Sequence, residues 1–257
     1  MPDALQQASG DHGSSTVVDG GLRVRDMRAW YGQTQVLFDM DVEVHARELV
    51  GILGHNGSGK STMLRVLSGL HRRADYEARL DGDDLAGLAP NVIARKGLVL
   101  VRGADVFDGV TVEEHLELGA RLGRITGRDG WDIDRVYAEM PILFERRKRL
   151  GPELSGGQRQ LLALAVAFVS NPRCMLLDEP TTGLDMQARS AVADVLQRFC
   201  EHGVPMLVVE QNPSWLAEVC SRAYLLELGR VVAEGEPLVV LGEQTAAEQE
   251  AQTMDAP

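Results

Sequence analysis

A glycine-rich loop carries the clearest chemical pattern in the sequence. Residues 54–61 read Gly-His-Asn-Gly-Ser-Gly-Lys-Ser, which matches the spacing GxxxxGK(S/T). Glycines let the backbone wrap closely around an oxyanion, and the N–H groups of the loop and of the following helix then point at it. Lys60 is placed to reach the terminal phosphates of a nucleotide, and the Ser61 hydroxyl is placed to join a Mg²⁺ shell. The loop therefore predicts binding of a nucleoside triphosphate with Mg²⁺.

Two carboxylates at the end of an apolar run supply the other half of that chemistry. Residues 175–179 read Met-Leu-Leu-Asp-Glu. Asp178 would hold Mg²⁺, usually through water, and Glu179 would orient or deprotonate the water that attacks the γ-phosphate. Because acidic residues often close strands, this assignment depends on the presence of Lys60 earlier in the chain. The two segments together predict hydrolysis of a nucleoside triphosphate.

A second loop is also built to contact an anion. Residues 154–158 read Leu-Ser-Gly-Gly-Gln and precede an apolar segment with helical spacing. A serine and two glycines thus stand at a helix N-terminus, where the helix dipole favours negative charge. The sequence contains no second phosphate loop for this helix end to serve. We therefore expect residues 154–158 to contact a nucleotide bound by another subunit.

The hydrophobic pattern predicts an α/β fold that positions these loops. Alternating apolar and polar residues predict two half-buried antiparallel strands at 22–27 and 36–44, and residues 224–237 predict a terminal hairpin. Continuous apolar runs predict strands covered on both faces at 49–54, 97–101, 174–178 and 205–210. Helical spacing predicts helices at 61–73, with a small-residue break at Ser68 and Gly69, and at 156–170 and 186–201. Strands that alternate with helices indicate a mainly parallel sheet.

A helical insert interrupts this alternation at about residues 103–158. Thr111 followed by Glu114 predicts a capping box that opens a helix within the insert. Outside the main domain at 22–242, polar residues 1–21 predict a flexible extension and residues 243–257 a flexible acidic tail.

Composition and charge exclude several classes of protein. The chain has 257 residues, of which 44% are hydrophobic and 25% charged, as in ordinary globular proteins. Its longest stretch without a charged residue, 160–172, is too short to cross a bilayer as a helix. Residues 1–21 show neither a basic nor an apolar signal region, so we expect a cytoplasmic location. A net charge of −12 argues against binding to nucleic acid.

The cysteine pattern indicates neither a disulfide framework nor a zinc site. Cys174, Cys200 and Cys220 form no CxxC pair and are odd in number. We expect reduced, mostly buried thiols.

With these loops in this order and spacing, residues 22–240 resemble the ATP-binding cassette (ABC) ATPases. Residues 183–185, Gly-Leu-Asp, are similar to the D-loop of that family. The resemblance implies the P-loop NTPase cassette: a RecA-like core sheet, an N-terminal antiparallel β subdomain and a helical subdomain. It implies catalytic roles for Lys60, Glu179 and Gln211, and Mg²⁺ ligation by Ser61 and Asp178. The residues that it implies bind ATP are Tyr31, which would stack on adenine, and Gly54, His55, Asn56, Gly57, Ser58, Gly59, Lys60, Ser61, Thr62, Ser155, Gly156, Gly157 and Gln158.

Residues 144–168 and 207–212 narrow the resemblance to the ATPase subunits of importers for branched-chain amino acids and to their urea and amide relatives. This implies a peripheral protein on the inner face of the cell membrane. It would dock on permease subunits through residues 103–150, pair with a second ATPase chain of the same or another kind, and serve a substrate-binding protein indirectly. Two alternatives stay open: a non-transport ABC ATPase acting in translation, repair or cluster assembly, and the cassette of an exporter.

Two positions depart from the family pattern. Arg102 follows the run at 97–101, where most members have a glutamine that contacts Mg²⁺, and an arginine cannot coordinate a cation. Gln211 stands where a histidine is usual, and it can donate a hydrogen bond to a phosphate but carries no titratable charge. We hypothesise that ATP binding is intact and that hydrolysis at this chain's own site is slow or depends on the partner.

Overall fold

The computed structural model describes residues 20–127, 130–240 and 242, so residues 1–19 of the predicted extension and the whole tail at 243–257 lie outside the described residues. The described residues form two sheets and a set of helices. Four strands form an antiparallel sheet in the order β2-β1-β4-β5: β1 (Gly21–Tyr31), β2 (Thr34–His45), β4 (Ala74–Leu80) and β5 (Asp83–Asp84). The first strand thus begins one residue before the predicted boundary at 22.

The second sheet is the mainly parallel core sheet that the pattern predicted. Its order is β10-β9-β3-β8-β7-β6, and only the pair β9-β10 is antiparallel. The strands are β3 (Leu49–Leu53), β6 (Leu98–Arg102), β7 (Cys174–Asp178), β8 (Met206–Val209), β9 (Arg222–Glu227) and β10 (Arg230–Gly235). Because parallel neighbours cannot be joined by a tight turn, longer crossover connections that contain helices link them.

Helices cover both faces of the core sheet or form the insert. They are α1 (Lys60–Leu67), α2 (Pro90–Lys96), α3 (Val112–Thr126), α4 (Ile133–Glu139), α5 (Pro141–Glu145), α6 (Gly156–Val169), α7 (Met186–Glu201) and α8 (Pro213–Val219), with a 3-10 turn at Gly151–Glu153. The capping box at Thr111 and Glu114 is confirmed, and α7 has the predicted bounds. The segments β4, β5, α2 and α8 were not predicted. β5 has two residues, and α2 and α8 have seven each, which is too short for a clear period. Residues 74–80 of β4 alternate between more and less exposed positions, so that signal was available.

The core sheet is covered on both faces, as its continuous apolar runs predicted. In β3, Leu49 and Leu53 pack among α6, α7 and the insert, whereas Val50 and Ile52 pack against α1 and the antiparallel sheet. Side chains that alternate along a strand therefore fill two separate cores. Among the described residues, no helix is both long enough and apolar enough to cross a membrane.

The prediction of reduced, buried thiols is confirmed. Cys174, Cys200 and Cys220 are free and buried. Burial raises the pKa of Cys200 to about 11 and raises those of the other two thiols as well, so all three are protonated at neutral pH.

Candidate functional site

Three neighbouring parallel strands bring the predicted site residues to one edge of the core sheet. The glycine loop follows β3, Glu179 follows β7, and Gln211 lies two residues after β8. Since β3, β8 and β7 are adjacent and parallel, their carboxyl ends meet at this edge, where ligands of open α/β sheets bind.

Two glycines of the loop are required by close packing. Gly54 has φ +147°, and a Cβ there would lie 2.2 Å from the Leu226 carbonyl oxygen. Gly59 caps α1 at φ 111°, and its Cβ would lie 2.6 Å from Leu37 Cδ2. Any larger residue would push the loop off the sheet, so these positions fix the path of the loop toward α1.

Lys60 is held inside the loop, with 5% of its surface exposed. Its Nζ donates to the carbonyl oxygens of Gly54 at 2.6 Å and His55 at 2.8 Å. Burial lowers the pKa of Lys60, and the nearby carboxylates of Glu179 and Asp178 oppose that shift. An ammonium has three N–H donors, so these two bonds leave one to donate to a phosphate.

Asp178 faces the first turn of α1. The Ser61 hydroxyl donates to Asp178 Oδ1 at 3.3 Å. Burial raises the pKa of Asp178, and so does Glu179, while the Ser61 bond and the charges of Arg102 and Arg65 lower it. Arg102 is exposed and lies opposite Asp178 in the backbone register of β6 and β7. A positively charged side chain therefore lies next to a predicted Mg²⁺ ligand.

Glu179 is oriented by two neutral donors. Gln211 Nε2 donates to Glu179 Oε1 at 2.5 Å, and Thr182 Oγ1 donates to Glu179 Oε2 at 3.1 Å. The backbone of Glu179 has φ +52°, a left-handed conformation that is unusual for a residue other than glycine. Its N–H donates to the Val209 carbonyl at 2.8 Å, so the unusual conformation is held against β8.

The loop at 154–158 stands at the surface, where a neighbouring molecule can reach it. Ser155 caps α6 by accepting from the Gln158 N–H, and the Gln158 side chain accepts from the Ser155 N–H. Ser155 and Gly156 are exposed. A Cβ on Gly157 would lie 2.6 Å from Ala188 Cβ, so glycine allows α6 to approach the start of α7, which Asp185 caps.

Tyr31 lies at the end of β1 with 44% of its surface exposed. Its ring stands 4.6 Å from that of His71, and a hydrogen bond with Thr62 of α1 lowers the pKa of its hydroxyl. The ring thus borders the helix that begins at the glycine loop.

Three polar residues at this edge were not found from the sequence: Thr181, Thr182 and Glu210. Glu210 is 2% exposed and accepts from the N–H and hydroxyl of Thr181. An apolar run that ends in Glu210 repeats the pattern that singled out Asp178 and Glu179, and that signal was available.

Residues 37–182 match the family described as ABC transporter. The chain belongs to the ABC transporter family. Its ATPase cassette has the parallel-rich core and the antiparallel subdomain that the resemblance implied, and the family hydrolyses ATP. The matched range contains both the loop at 54–61 and the carboxylates of Asp178 and Glu179.

Several characterised proteins are similar to this ABC ATPase. The high-affinity branched-chain amino acid transport ATP-binding protein BraG of Pseudomonas aeruginosa is 38% identical over 206 residues, which cover 79% of this chain and 87% of BraG. A probable branched-chain amino acid transport ATP-binding protein LivF of Archaeoglobus fulgidus is 34% identical over 83% of this chain and 91% of its own length. The lipopolysaccharide export system ATP-binding protein LptB of Haemophilus influenzae is 30% identical over 87% of this chain and 93% of its own length.

A solved structure shows the same fold. The ADP conformation of MJ1267, an ATP-binding cassette of an ABC transporter, superposes with a TM-score of 0.77 over 89% of this chain and 97% of that chain, at 22% identity.

Proposed function

We propose that this ABC ATPase energises an importer of branched-chain amino acids or of a related small solute. The convergence of Lys60, Asp178 and Glu179 at one sheet edge carries the assignment of the hydrolytic site. The similarity to the branched-chain amino acid transport proteins BraG and LivF over most of the chain supports the class of transported solute.

In this proposal the chain's own groups bind the triphosphate and activate water. The loop at 54–61 and Lys60 bind the β- and γ-phosphates, and Tyr31 stacks on the adenine. Glu179 accepts the proton of the attacking water. The Gln211 amide donates a hydrogen bond that holds the Glu179 carboxylate in one orientation, and it transfers no proton. Thr182 supports the second carboxylate oxygen.

The donor set at Ser61 and Asp178 fits Mg²⁺. Both are oxygen donors, 3.3 Å apart, and burial raises the pKa of Asp178 because its charge is poorly solvated. A divalent cation would compensate that charge, and Mg²⁺ typically takes one carboxylate with waters and substrate phosphates. When bound, Mg²⁺ would neutralise charge on the phosphate oxygens. Arg102 stands beside this position and would oppose the cation.

Two chains are needed to complete a site in this proposal. Ser155 and Gly156 are exposed at the N-terminus of α6. They would contact the ATP held by a second ATPase subunit, either a copy of this chain or a related one. Closure around two ATP molecules would drive the permease, and hydrolysis would reset it.

The helical insert would dock the permease and hold this protein at the inner face of the cell membrane. Phe107, Phe144 and Leu150 are exposed apolar residues of the insert, and Phe107 is 64% exposed. Large apolar side chains exposed on one insert support its use as a protein interface. A substrate-binding protein would act through the permease, and nucleic acid is not expected as a partner.

Two measurements test the proposal. Glu179→Gln should abolish hydrolysis while ATP binding is kept, and undiminished turnover would remove Glu179 from the role of base. In proteoliposomes that contain the permease, the binding protein and the partner ATPase, ATP should drive uptake of leucine, isoleucine or valine, and the Glu179→Gln complex is the matched control. Efflux in place of uptake would favour the exporter alternative, which the similarity to the export protein LptB supports.

A further inference from the structure

Glu210 is a buried carboxylate that has no role in the proposed hydrolysis. It lies directly after β8 and is 2% exposed. None of the ion pairs found within residues 20–127 and 130–240 includes it, so no cation balances its charge there. Burying an unpaired carboxylate is costly unless several hydrogen bonds stabilise it.

Four donors supply that stabilisation, and they come from two different loops. Glu210 Oε1 accepts from the Thr181 N–H at 2.8 Å and from the Thr181 hydroxyl. Glu210 Oε2 accepts from the N–H of Gln211 at 2.9 Å and of Asn212 at 3.4 Å. One carboxylate therefore ties the loop after β7 to the loop after β8.

Each of these two loops also contacts Glu179, through the side chain of the residue that follows Thr181 or Glu210. Thr182, which follows Thr181, donates to Glu179 Oε2, and Gln211, which follows Glu210, donates to Glu179 Oε1. The two groups that orient the Glu179 carboxylate are thus each adjacent in the chain to a residue of the Glu210 cluster, defined as Thr181, Glu210 and the backbone of Gln211.

We propose that Glu210 is a positioning residue for hydrolysis, which acts by holding Gln211 and Thr182 at the distances that orient Glu179. Its chemistry suits the role, because a carboxylate accepts at both oxygens whereas an amide accepts at only one. The inference rests on the proposed role of Glu179 as base.

Glu210→Gln is the main test, measured as ATP hydrolysis with enzyme in excess over ATP so that slow turnover is resolved. The new amide must turn its NH₂ toward the donors of either Thr181 or Gln211, so that one loop loses its anchor. We expect the hydrolysis rate to fall about tenfold, roughly the effect of 1.4 kcal/mol, while the enzyme concentration at half-maximal rate changes less than about twofold.

A double-variant comparison separates positioning from a general structural effect. If Glu210 acts through Gln211, then Glu210→Gln should reduce the rate by less than about twofold further when Gln211→Ala is already present. A full tenfold further loss, or an equal loss of ATP binding, would overturn the inference.

Variants of Thr181 keep the inference testable if Glu210→Gln does not fold. Thr181→Val removes one donor to Glu210 with little change of shape, and it should lower the hydrolysis rate, whereas Thr181→Ser should retain the wild-type rate. A wild-type rate in a folded Thr181→Val protein would contradict the proposal. If Glu179→Gln is inactive while both cluster variants match the wild type, only this inference fails and the proposed function stands.

Discussion

Gln211 donates a hydrogen bond from its side-chain amide to the Glu179 carboxylate, at 2.5 Å. The two residues are 32 positions apart in the chain and meet because β7 and β8 are parallel neighbours. A neutral donor at this point orients the carboxylate without changing charge between pH 5 and 8, unlike a histidine.

Replacing Gln211 by histidine should therefore introduce a pH dependence that the natural chain lacks. Gln211→His keeps a ring N–H for Glu179, but the ring titrates near the ordinary histidine value of about 6.5. We expect the hydrolysis rate of the variant to change across that pH range, measured from pH 5.5 to 8.5. The wild type and Gln211→Asn serve as controls, because the amide at residue 211 does not titrate in either. If the histidine variant shows the same pH profile as these controls, residue 211 does not contact the reacting groups.

Removal of the Arg102 charge should improve use of Mg²⁺. Arg102 is exposed beside Asp178, where its charge opposes a second cation. Arg102→Gln should lower the Mg²⁺ concentration for half-maximal hydrolysis by about two- to fivefold, the scale of a partly exposed charge pair, and should raise the rate at limiting Mg²⁺. Arg79→Gln, an exposed arginine of β4, is the matched control. No change in Mg²⁺ dependence would mean that Arg102 does not face the cation.

Substitution of two loop glycines by alanine should have unequal effects on stability. Gly54→Ala places a Cβ 2.2 Å from the Leu226 carbonyl oxygen, at φ +147°. Gly57→Ala has φ +85° but no atom within 4 Å of its Cβ. We expect Gly57→Ala to lower the free energy of unfolding by about 1 kcal/mol and Gly54→Ala by about 3 kcal/mol. Urea unfolding measures both, and equal losses would contradict the predicted clash.

Loss of the Asp178 proton should make the metal-free protein less stable as pH rises. Because its folded pKa is raised above the ordinary 3.8, the folded state binds more protons than the unfolded state between the two pKa values. The free energy of unfolding therefore falls as pH rises through that window. Asp178→Asn should remove this loss, so the variant should be more stable than the wild type at pH 7.5 in EDTA and gain nothing at pH 3. Urea unfolding at both pH values measures the difference in the free energy of unfolding between Asp178→Asn and the wild type. With Mg²⁺ and ATP present, the wild type should be the more stable of the two.

Local patterns in the sequence determined most elements and the chemistry of the site. Apolar runs ending in Gly54 and in Asp178-Glu179 predicted strands that carry phosphate and carboxylate chemistry, since strand burial and a turn at its end are local properties. The capping box at Thr111 and Glu114 likewise depends on residues close in the chain. The alternation in β4 was an available signal. The helix α8 escaped prediction because seven residues give little periodicity. Asn212 and Pro213 at the start of α8 were nevertheless a readable signal.

Only the tertiary structure decided which of these residues touch. The order β3-β8-β7 places Gln211 between the glycine loop and Glu179, although β6 and β7 come between β3 and β8 along the chain. Strand order arises from long-range packing of two cores, which no local pattern encodes. The contacts of Gln211 and Thr182 with Glu179, and of Thr181 with Glu210, therefore could not be predicted. The sequence by itself determined the chemistry available at this edge, and packing decided how it is assembled.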